Sequence, residues 1–468
     1  MAARLLGAAV SQKTTPSIQE MVREALRHHQ LGRLDAAERL YRQVLAIDPD
    51  HADGLHLLGM IVFEAGQVDA AVELIRRAIA IKGNAASYHS NLGNILQSQG
   101  KLDEAGLCYQ RALVLKPDSA EVYLNLGNIF KSQGNLESSL TCYRRAMTLS
   151  PALAEAATAE AAVLLLRGDY AVGWQRAERR WETKDHGTPV RDYPWPRWKG
   201  EQLESGQLLI WGEQGIGDEI MFAGLIPDVV RTGNRCVLDC DARLKPLFAR
   251  SFPGIKVVAG VTAESHLDLD IAAHLPSGSL PGLFRGSSAA FGGTISPYLV
   301  ADPVAQARFR VRYDDGRKLV GLAWRTNNKK TGRDRSIDLS RFAPLFAQPG
   351  IQWVSLQYGD HDCLEQEAAA APILVDREVD QFADIDDFAA QIAAMDLVIT
   401  IDNSTAHLAA ALGVATWVLL PFVPDWRWLE TREDSPWYPT VRLFRQTKLD
   451  DWPSVVGRVK GALDQMLR

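Results

Sequence analysis

The chain has 468 residues, 47% hydrophobic and 23% charged, which is too many for one ordinary core and predicts two or three domains. A net charge of −6 gives no general attraction to nucleic acid, which is excluded as a partner. No apolar run of eighteen residues or secretory layout occurs, so a cytoplasmic protein with no membrane span is expected, and Cys108, Cys142, Cys236, Cys240 and Cys363, which show no zinc spacing, read as reduced thiols.

The first third is periodic. Gly32, Gly66, Gly100, Gly134 and Gly168 recur every 34 residues, Gly59, Gly93 and Gly127 form a second series, and Pro49, Pro117 and Pro151 a third, with Gly83 where a further proline is due. Apolar residues between these markers fall at helical spacing, with Ala37, Ala71 and Ala105 small and Tyr41, Tyr109 and Tyr143 large. Glycine permits the turn inside each helix pair, and proline ends the pair. The pattern resembles the tetratricopeptide repeat over residues 17–185, closed by a capping helix with Trp174, Arg179, Arg180 and Trp181. Cys108 and Cys142 share the tyrosine face and are expected to pack.

Solenoids of this kind line a concave wall with the first helix of each pair. Asn91, Asn94, Asn125 and Asn128 put two amides one turn apart in consecutive repeats, a ladder able to bind an extended backbone or to pair with neighbouring helices. The array is similar in this to that of the O-GlcNAc transferase family, whose asparagines at this repeat position hold protein substrates.

Periodicity then stops. Pro189, Pro194 and Pro196 alternate with Tyr193, Trp195 and Trp198 in a strip that forbids helix and is expected to pack along a domain surface. Beyond it, apolar runs alternate with helical stretches: 207–211, 235–240, 256–258, 267–272, 319–323, 353–356, 397–401 and 416–420. Continuous apolar strands imply parallel sheets, and the Gly, Ser and Pro-rich stretch 278–315 divides two Rossmann-like lobes, assigned to residues 186–300 and 301–468.

Three segments at strand ends carry candidate chemistry. The first strand runs into Gly215-Ile216-Gly217-Asp218, where glycines admit a ligand close to a helix N-terminus; Asp218 faces the cleft or caps the helix. The strand at 319–323 runs into Trp324-Arg325 and a basic loop, Lys329, Lys330, Arg333 and Arg335, suited to a diphosphate or simply solvated. The strand at 397–401 ends at Asp402, and a helix opening near Ser404 and Thr405 offers donors to an anion; His407 in its first turn contacts a phosphate or sugar, or is structural.

The run Asp402 to Gly413 followed by Thr416 to Pro421 resembles the nucleotide-sugar motif of family 9, heptosyltransferase-type glycosyltransferases, which have the GT-B fold. The resemblance implies transfer of a sugar from a nucleotide-sugar, with Asp218 as catalytic base, Arg335 as the cation on the departing diphosphate shared with Lys330 or Arg333, and His407 beside it. Gly215, Gly217, Arg325, Gln357, Asp402, Ser404 and Thr405 would complete the donor site, and Asn403-Ser404 departs from the family's usual Thr-Gly. The segments Glu213 to Phe222, Ser355 to Gln357, Asp425 to Trp428 and Asp434 to Pro439 look like bacterial fusions of tetratricopeptide repeats with such a domain, some of which glycosylate flagellin. A protein acceptor, flagellin first, is therefore expected on the repeat arm; a lipid or polysaccharide acceptor and an inactive scaffold are the other readings. No Asp-x-Asp pair stands in these motifs, so metal-independent chemistry without a cofactor is expected. Trp426 to Tyr438 reads as core or inter-lobe support rather than a sugar-stacking wall, and 452–467 as a terminal helix crossing back to the first lobe.

Overall fold

The 34-residue period becomes a period of helix pairs in the computed structural model, which describes residues 16–184, 186–260, 269–293, 296–328 and 332–468. The pairs are α1 (Ile18–Gln30) with α2 (Leu34–Ile47), α3 (Ala52–Glu64) with α4 (Val68–Ile81), α5 (Ala86–Ser98) with α6 (Leu102–Leu115), and α7 (Ala120–Ser132) with α8 (Leu136–Leu149). Each pair turns on the expected glycine, held at φ between 70° and 80° in Gly32, Gly66, Gly100 and Gly134, a region side chains disfavour. The second glycine series has a different cause. A Cβ at Gly93 would lie 2.7 Å from Tyr109 Cε1, and one at Gly127 would lie 2.5 Å from Tyr143 Cε1, so the ring of one helix lies on the backbone of its partner. Both rings are pinned, because Tyr109 and Tyr143 donate to Asn94 and Asn128. Gly127→Ala is therefore expected to lower the stability of the repeat unit by about 1–3 kcal/mol, the usual range for overpacking, read as an earlier thermal transition; an unchanged transition would mean that the ring moves freely.

The compact units are one ending at Leu153 and one beginning at Ala154, which moves the end of the array from the expected residue 185. Helices α9 (Ala154–Arg167) and α10 (Tyr170–Ala177), with a 3₁₀ turn at Glu178–Glu182, belong to the second unit. The reason is packing: Leu165, Tyr170 and Trp174 share one core with Trp198, Leu280, Phe291 and Trp437.

The second unit holds two parallel sheets. Its first lobe comprises β1 (Gln207–Trp211), α11 (Ile216–Ala223), α12 (Ile226–Arg231), β2 (Cys236–Cys240), α13 (Lys245–Ser251), β3 (Lys256–Ala259), β4 (Ile271–Pro276) and α14 (Leu280–Phe284), with sheet order β3-β2-β1-β4. The strand expected at 267–272 is found later, and Leu267 and Asp268 lie outside the described residues. The aromatic strip packs as expected: Trp198 donates its backbone N–H to His274 of β4, and Tyr193 lies against Trp211 and His274.

The second lobe comprises α15 (Pro303–Tyr313), β5 (Lys318–Ala323), α16 (Gly332–Arg335), α17 (Ala343–Phe346), β6 (Ile351–Ser355), α18 (His361–Ala368), β7 (Ile373–Leu374), α19 (Ile385–Ala393), β8 (Leu397–Ile401), α20 (Ser404–Ala411), β9 (Thr416–Leu420), β10 (Val441–Arg445) and α21 (Trp452–Met466). Its order, β10-β9-β8-β5-β6-β7, is that of a doubly wound sheet, with the reversal between β5 and β8; β1 and β4 bracket the reversal in the first lobe. Ligands of such sheets bind beyond the carboxyl ends of the strands at that reversal.

Two strands are added to those expected, and one expectation is corrected. The short strands β7 and β10 carry no long apolar run, and only their neighbours in the sheet define them. Helix α21 does not cross back: Trp452, Val455, Val456, Val459 and Leu463 are buried in the second lobe's own core with Val320, Trp353 and Phe444. Contact with the first part of the unit is made instead by the tryptophan segment, where Trp426 and Trp437 meet Trp174 edge-on at 5.1 and 6.4 Å. Trp428 and Tyr438 are buried, so this segment is inter-lobe support.

Candidate functional site

The candidate site is a seam where α11 and α20, each following the strand beside a reversal, meet end to end. The close approach requires Gly217, where a Cβ would stand 3.2 Å from His407 Cδ2 and 3.5 Å from Ser404 Cα. Just before it, Gln214 is held at φ 67°, a left-handed conformation that costs a non-glycine residue free energy and marks a backbone shaped by its surroundings.

Asp218 has two roles. Its Oδ2 accepts the N–H of Gly215 at 3.2 Å and closes the first turn of α11; its Oδ1 faces across the seam and pairs with Arg427 of the second lobe. From there an alternating chain of charge runs through the site. Arg427 Nη1 lies 2.6 Å from Asp425, Arg335 Nη2 lies 3.4 Å from the other oxygen of Asp425, and Arg335 Nη1 lies 2.9 Å from Asp402. Asp218 and Asp402 thus belong to one constellation, and Asp218 retains 21% side-chain exposure.

Burial decides the protonation of this chain. It pushes the Asp402 carboxyl, 3% exposed, above its ordinary value, and Arg335 works against the shift. Burial also opposes charge on Asp425, but Arg427 and Arg335 on either side hold it well below the usual carboxylate range. Arg427 is raised in turn: desolvation is outweighed by Asp425 and Asp218.

The structure separates the remaining candidates. Ser404 is half-buried in the first turn of α20, and Thr405 beside it is fully buried. The helix cap is the Asn403 amide, accepting from Ala406 N–H at 3.3 Å, and not a hydroxyl. Burial, helped by nearby Arg427, takes the His407 imidazole down to about 3, its Nδ1 sits 2.9 Å from Tyr438 Oη, and its ring stacks on Trp428. It is a neutral wall residue that seats α20, the structural reading that the sequence left open. Gln357 is fully buried, its Oε1 accepting from Trp324 N–H and Arg325 N–H at 3.0 and 2.8 Å; it is an anchor of the turn after β5 and not a reader of a base. Arg325 pairs with Glu367 at 3.2 Å beside that turn. Arg333 is exposed, and Lys329 and Lys330 lie outside the described residues. Gly215 is exposed at the mouth of the loop.

The asparagines of the repeat unit are only partly available. Asn94 Oδ1 accepts from Tyr109 and from Asn125 Nδ2 at 2.7 and 3.0 Å, Asn128 Oδ1 accepts from Tyr143 at 2.9 Å, and Asn91 Nδ2 lies 2.9 Å from His56 Nε2. They link adjacent helices and repeats, the pairing that the sequence left open beside peptide binding.

Three features escaped the sequence reading. Arg427 and Asp425 lie in a loop after β9 that the resemblance covered without giving either residue a role. Arg180 reaches the glycine-rich loop, its Nε and Nη2 donating to Glu213 at 2.8 and 2.7 Å while Glu213 also accepts from Gly278 N–H. An Asp-x-Asp pair does stand at a strand end, Asp239 in β2 and Asp241 just after it, but Arg191 and Arg243 pair with them. Among the described residues no group of three metal-ligating side chains is placed to hold an ion, and no helix is long and apolar enough to cross a membrane. The five cysteines are free thiols, with only Cys363 exposed.

Glu219, next to Asp218, is a pH-dependent element of the loop. Burial, reinforced by Asp241 and Asp239 and opposed by a hydrogen bond from Asp241 N–H, pushes its carboxyl up to about 7. The folded chain then keeps a proton that the unfolded chain releases near 4.5, so this contribution to stability is present at low pH and is lost as pH rises to 7. Glu219→Gln is expected to be about 2 kcal/mol more stable than the parent at pH 8 and equal to it near pH 4.5. Thermal melts at both pH values test this, and equal melting at pH 8 would refute it.

Models of the tetratricopeptide repeat family match residues 28–95, 93–134 and 120–153. The first unit is therefore a tetratricopeptide array, a fold equipped to bind protein partners. The chain is 34% identical over 336 residues to Protein FlbA of Caulobacter vibrioides, a match taking in 66% of this chain and 55% of that protein. The chain thus spans about half the length of this curated relative. Among solved structures, Pseudomonas aeruginosa pilF is 22% identical, covering 35% of this chain and 74% of its own, with a TM-score of 0.33. A thermophilic TPR protein of Thermus thermophilus is 21% identical, covering 36% of this chain and 93% of its own, with a TM-score of 0.31.

Proposed function

We propose that the second unit is a GT-B-type glycosyltransferase and that the tetratricopeptide array supplies its protein acceptor. The observation that carries this reading is the alternating charge chain from Asp218 through Arg427, Asp425 and Arg335 to Asp402, lying where the strand orders of two doubly wound sheets reverse. A carboxylate on one lobe faces guanidinium groups and a helix N-terminus on the other, the charge pattern that transfer from a nucleoside diphosphate sugar requires.

In the proposed reaction the acceptor hydroxyl attacks the anomeric carbon and gives its proton to Asp218. The bond from that carbon to the diphosphate oxygen breaks, and the electron pair leaves with the nucleoside diphosphate. Arg335, Arg427 and the first turn of α20 meet the developing charge. On the repeat unit, the amide donors of Asn94 and Asn128 take the carbonyls of an extended peptide, their oxygens being held by the tyrosines. Flagellin is the first acceptor to test.

Titration with UDP, GDP, ADP and CDP and their sugars in the presence of EDTA, followed by transfer to flagellin read by mass spectrometry, tests the proposal. Binding of one nucleotide and a sugar mass on the protein are expected without added metal. Failure of all four nucleotides to bind would overturn the enzymatic reading; a sugar found on lipid or polysaccharide would overturn the acceptor alone.

A further inference from the structure

Arg427 has two anions within reach of one guanidinium, and they belong to different lobes. Its Nη1 is held at 2.6 Å by Asp425 on the same loop, while its Nη2 pairs with Asp218 on α11. The guanidinium carbon lies 4.3 Å from the centre of the Trp426 ring, a second support from its own loop. The side chain is therefore seated by its own lobe, and its contact with Asp218 is the one link of the charge chain that crosses the seam.

The chain sets three carboxylates, Asp218, Asp425 and Asp402, against two guanidinium groups, Arg335 and Arg427. Arg335 has both its carboxylates, Asp425 and Asp402, within its own lobe, and Arg427 has Asp425, so Asp218 is the one carboxylate of the chain that belongs to the other lobe. A diphosphate arriving at this seam needs the same arm of Arg427 that Asp218 occupies, and a carboxylate oxygen held by a guanidinium is not open to an incoming hydroxyl.

From this competition, and resting on the glycosyl-transfer reading above, we propose that Arg427 is a latch. Before the donor binds it pairs with Asp218; when a nucleoside diphosphate sugar enters, its Nη2 arm passes to the diphosphate, and Asp218 is released to accept the acceptor's proton. The base becomes active only when the donor is in place, which suppresses wasteful chemistry at an incomplete site. Arg427 contacts the diphosphate in this scheme and Asp218 contacts the acceptor, so one residue couples the two substrates.

The latch predicts a gain of affinity from loss of the base. Calorimetric titration of the full chain with UDP, GDP, ADP and CDP, taking whichever binds, is expected to give roughly threefold to tenfold tighter binding to Asp218→Asn than to the parent. The gain must disappear in the Arg427→Gln background, because no arm is left to release; simple repulsion between Asp218 and phosphate would persist there. If Arg427→Gln does not fold, Arg427→Lys replaces it, since one ammonium lacks the separate arms of the fork and the gain shrinks again. An unchanged or weaker affinity in Asp218→Asn overturns the latch, as does a gain that survives in both Arg427 backgrounds. If no nucleoside diphosphate binds the parent, the latch and the glycosyl-transfer reading fall together; if one binds and the cycle shows no coupling, only the latch falls.

Discussion

Replacement of Asp218 by asparagine is expected to slow sugar transfer by about 10²–10⁴-fold, the range a positioned general base contributes. The amide keeps the acceptor oxygen that closes the first turn of α11 on Gly215, and Arg427 keeps Asp425, so the fold is expected to survive with little change in melting temperature. This separation makes the variant informative: a merely capping aspartate would leave both turnover and melting temperature near those of the parent, because the amide still caps the turn. Initial-rate measurements beside a thermal melt decide the matter. Transfer within a few-fold of the parent would remove Asp218 from the chemistry and leave the charge chain as a structural device.

The second large effect is on stability. Arg180→Met is expected to destabilise the second unit by about 3–5 kcal/mol, because it leaves Glu213 buried without its guanidinium partner. Burial alone would raise the Glu213 carboxyl, but hydrogen bonds from His186 and Arg180 outweigh it and bring the group down to about 2. A carboxylate with a depressed value stabilises the fold above its unfolded value near 4.5 and loses that contribution as pH falls toward 2. The gap between parent and variant, measured by denaturant unfolding, should therefore be full at pH 7 and shrink below about pH 4.5. Arg180→Met with Glu213→Gln should recover most of the loss, since the pair is then removed together. A single variant as stable as the parent would show that water already solvates Glu213. Arg180 lies in the turn after α10 and Glu213 opens the loop that carries Asp218, so the pair ties the capping helix to the candidate base.

Much of the architecture was legible because its causes are local. A glycine that must turn left-handed recurs wherever the same helix pair recurs, and Gly32, Gly66, Gly100 and Gly134 all do so. Strands β1, β8 and β9 are continuous apolar runs, and burial on both faces of a parallel sheet leaves that signature without reference to any neighbour. Asp218 and Asp402 could be picked out for the same reason, since each follows such a strand at a helix start.

The misreadings share the opposite property. Gln357 carries the same amide whether it reads a base or holds a turn, and only the two backbone N–H groups beside it decide for the turn. His407 has an imidazole able to touch a phosphate or to hold a helix, and only its packing on Trp428 and Tyr438 decides for the helix. The apolar face of α21 is equally fit to cover either lobe, and its residues are buried in the core of the second. The asparagines advertise a binding wall, yet tyrosines from the partner helices take their oxygens.

By itself the sequence determined the repeat, the alternation of strands and helices, and which strand ends present carboxylate, glycine and cation, since each follows from the conformational preference and hydrophobic spacing of a few adjacent residues. The tertiary structure alone decided that Arg427 faces Asp218, that Arg180 supports Glu213, and that α9 and α10 belong to the second unit. Those pairings join residues far apart in the chain, and a guanidinium finds its carboxylate only after packing has brought both to one place and taken away the water that would otherwise satisfy each.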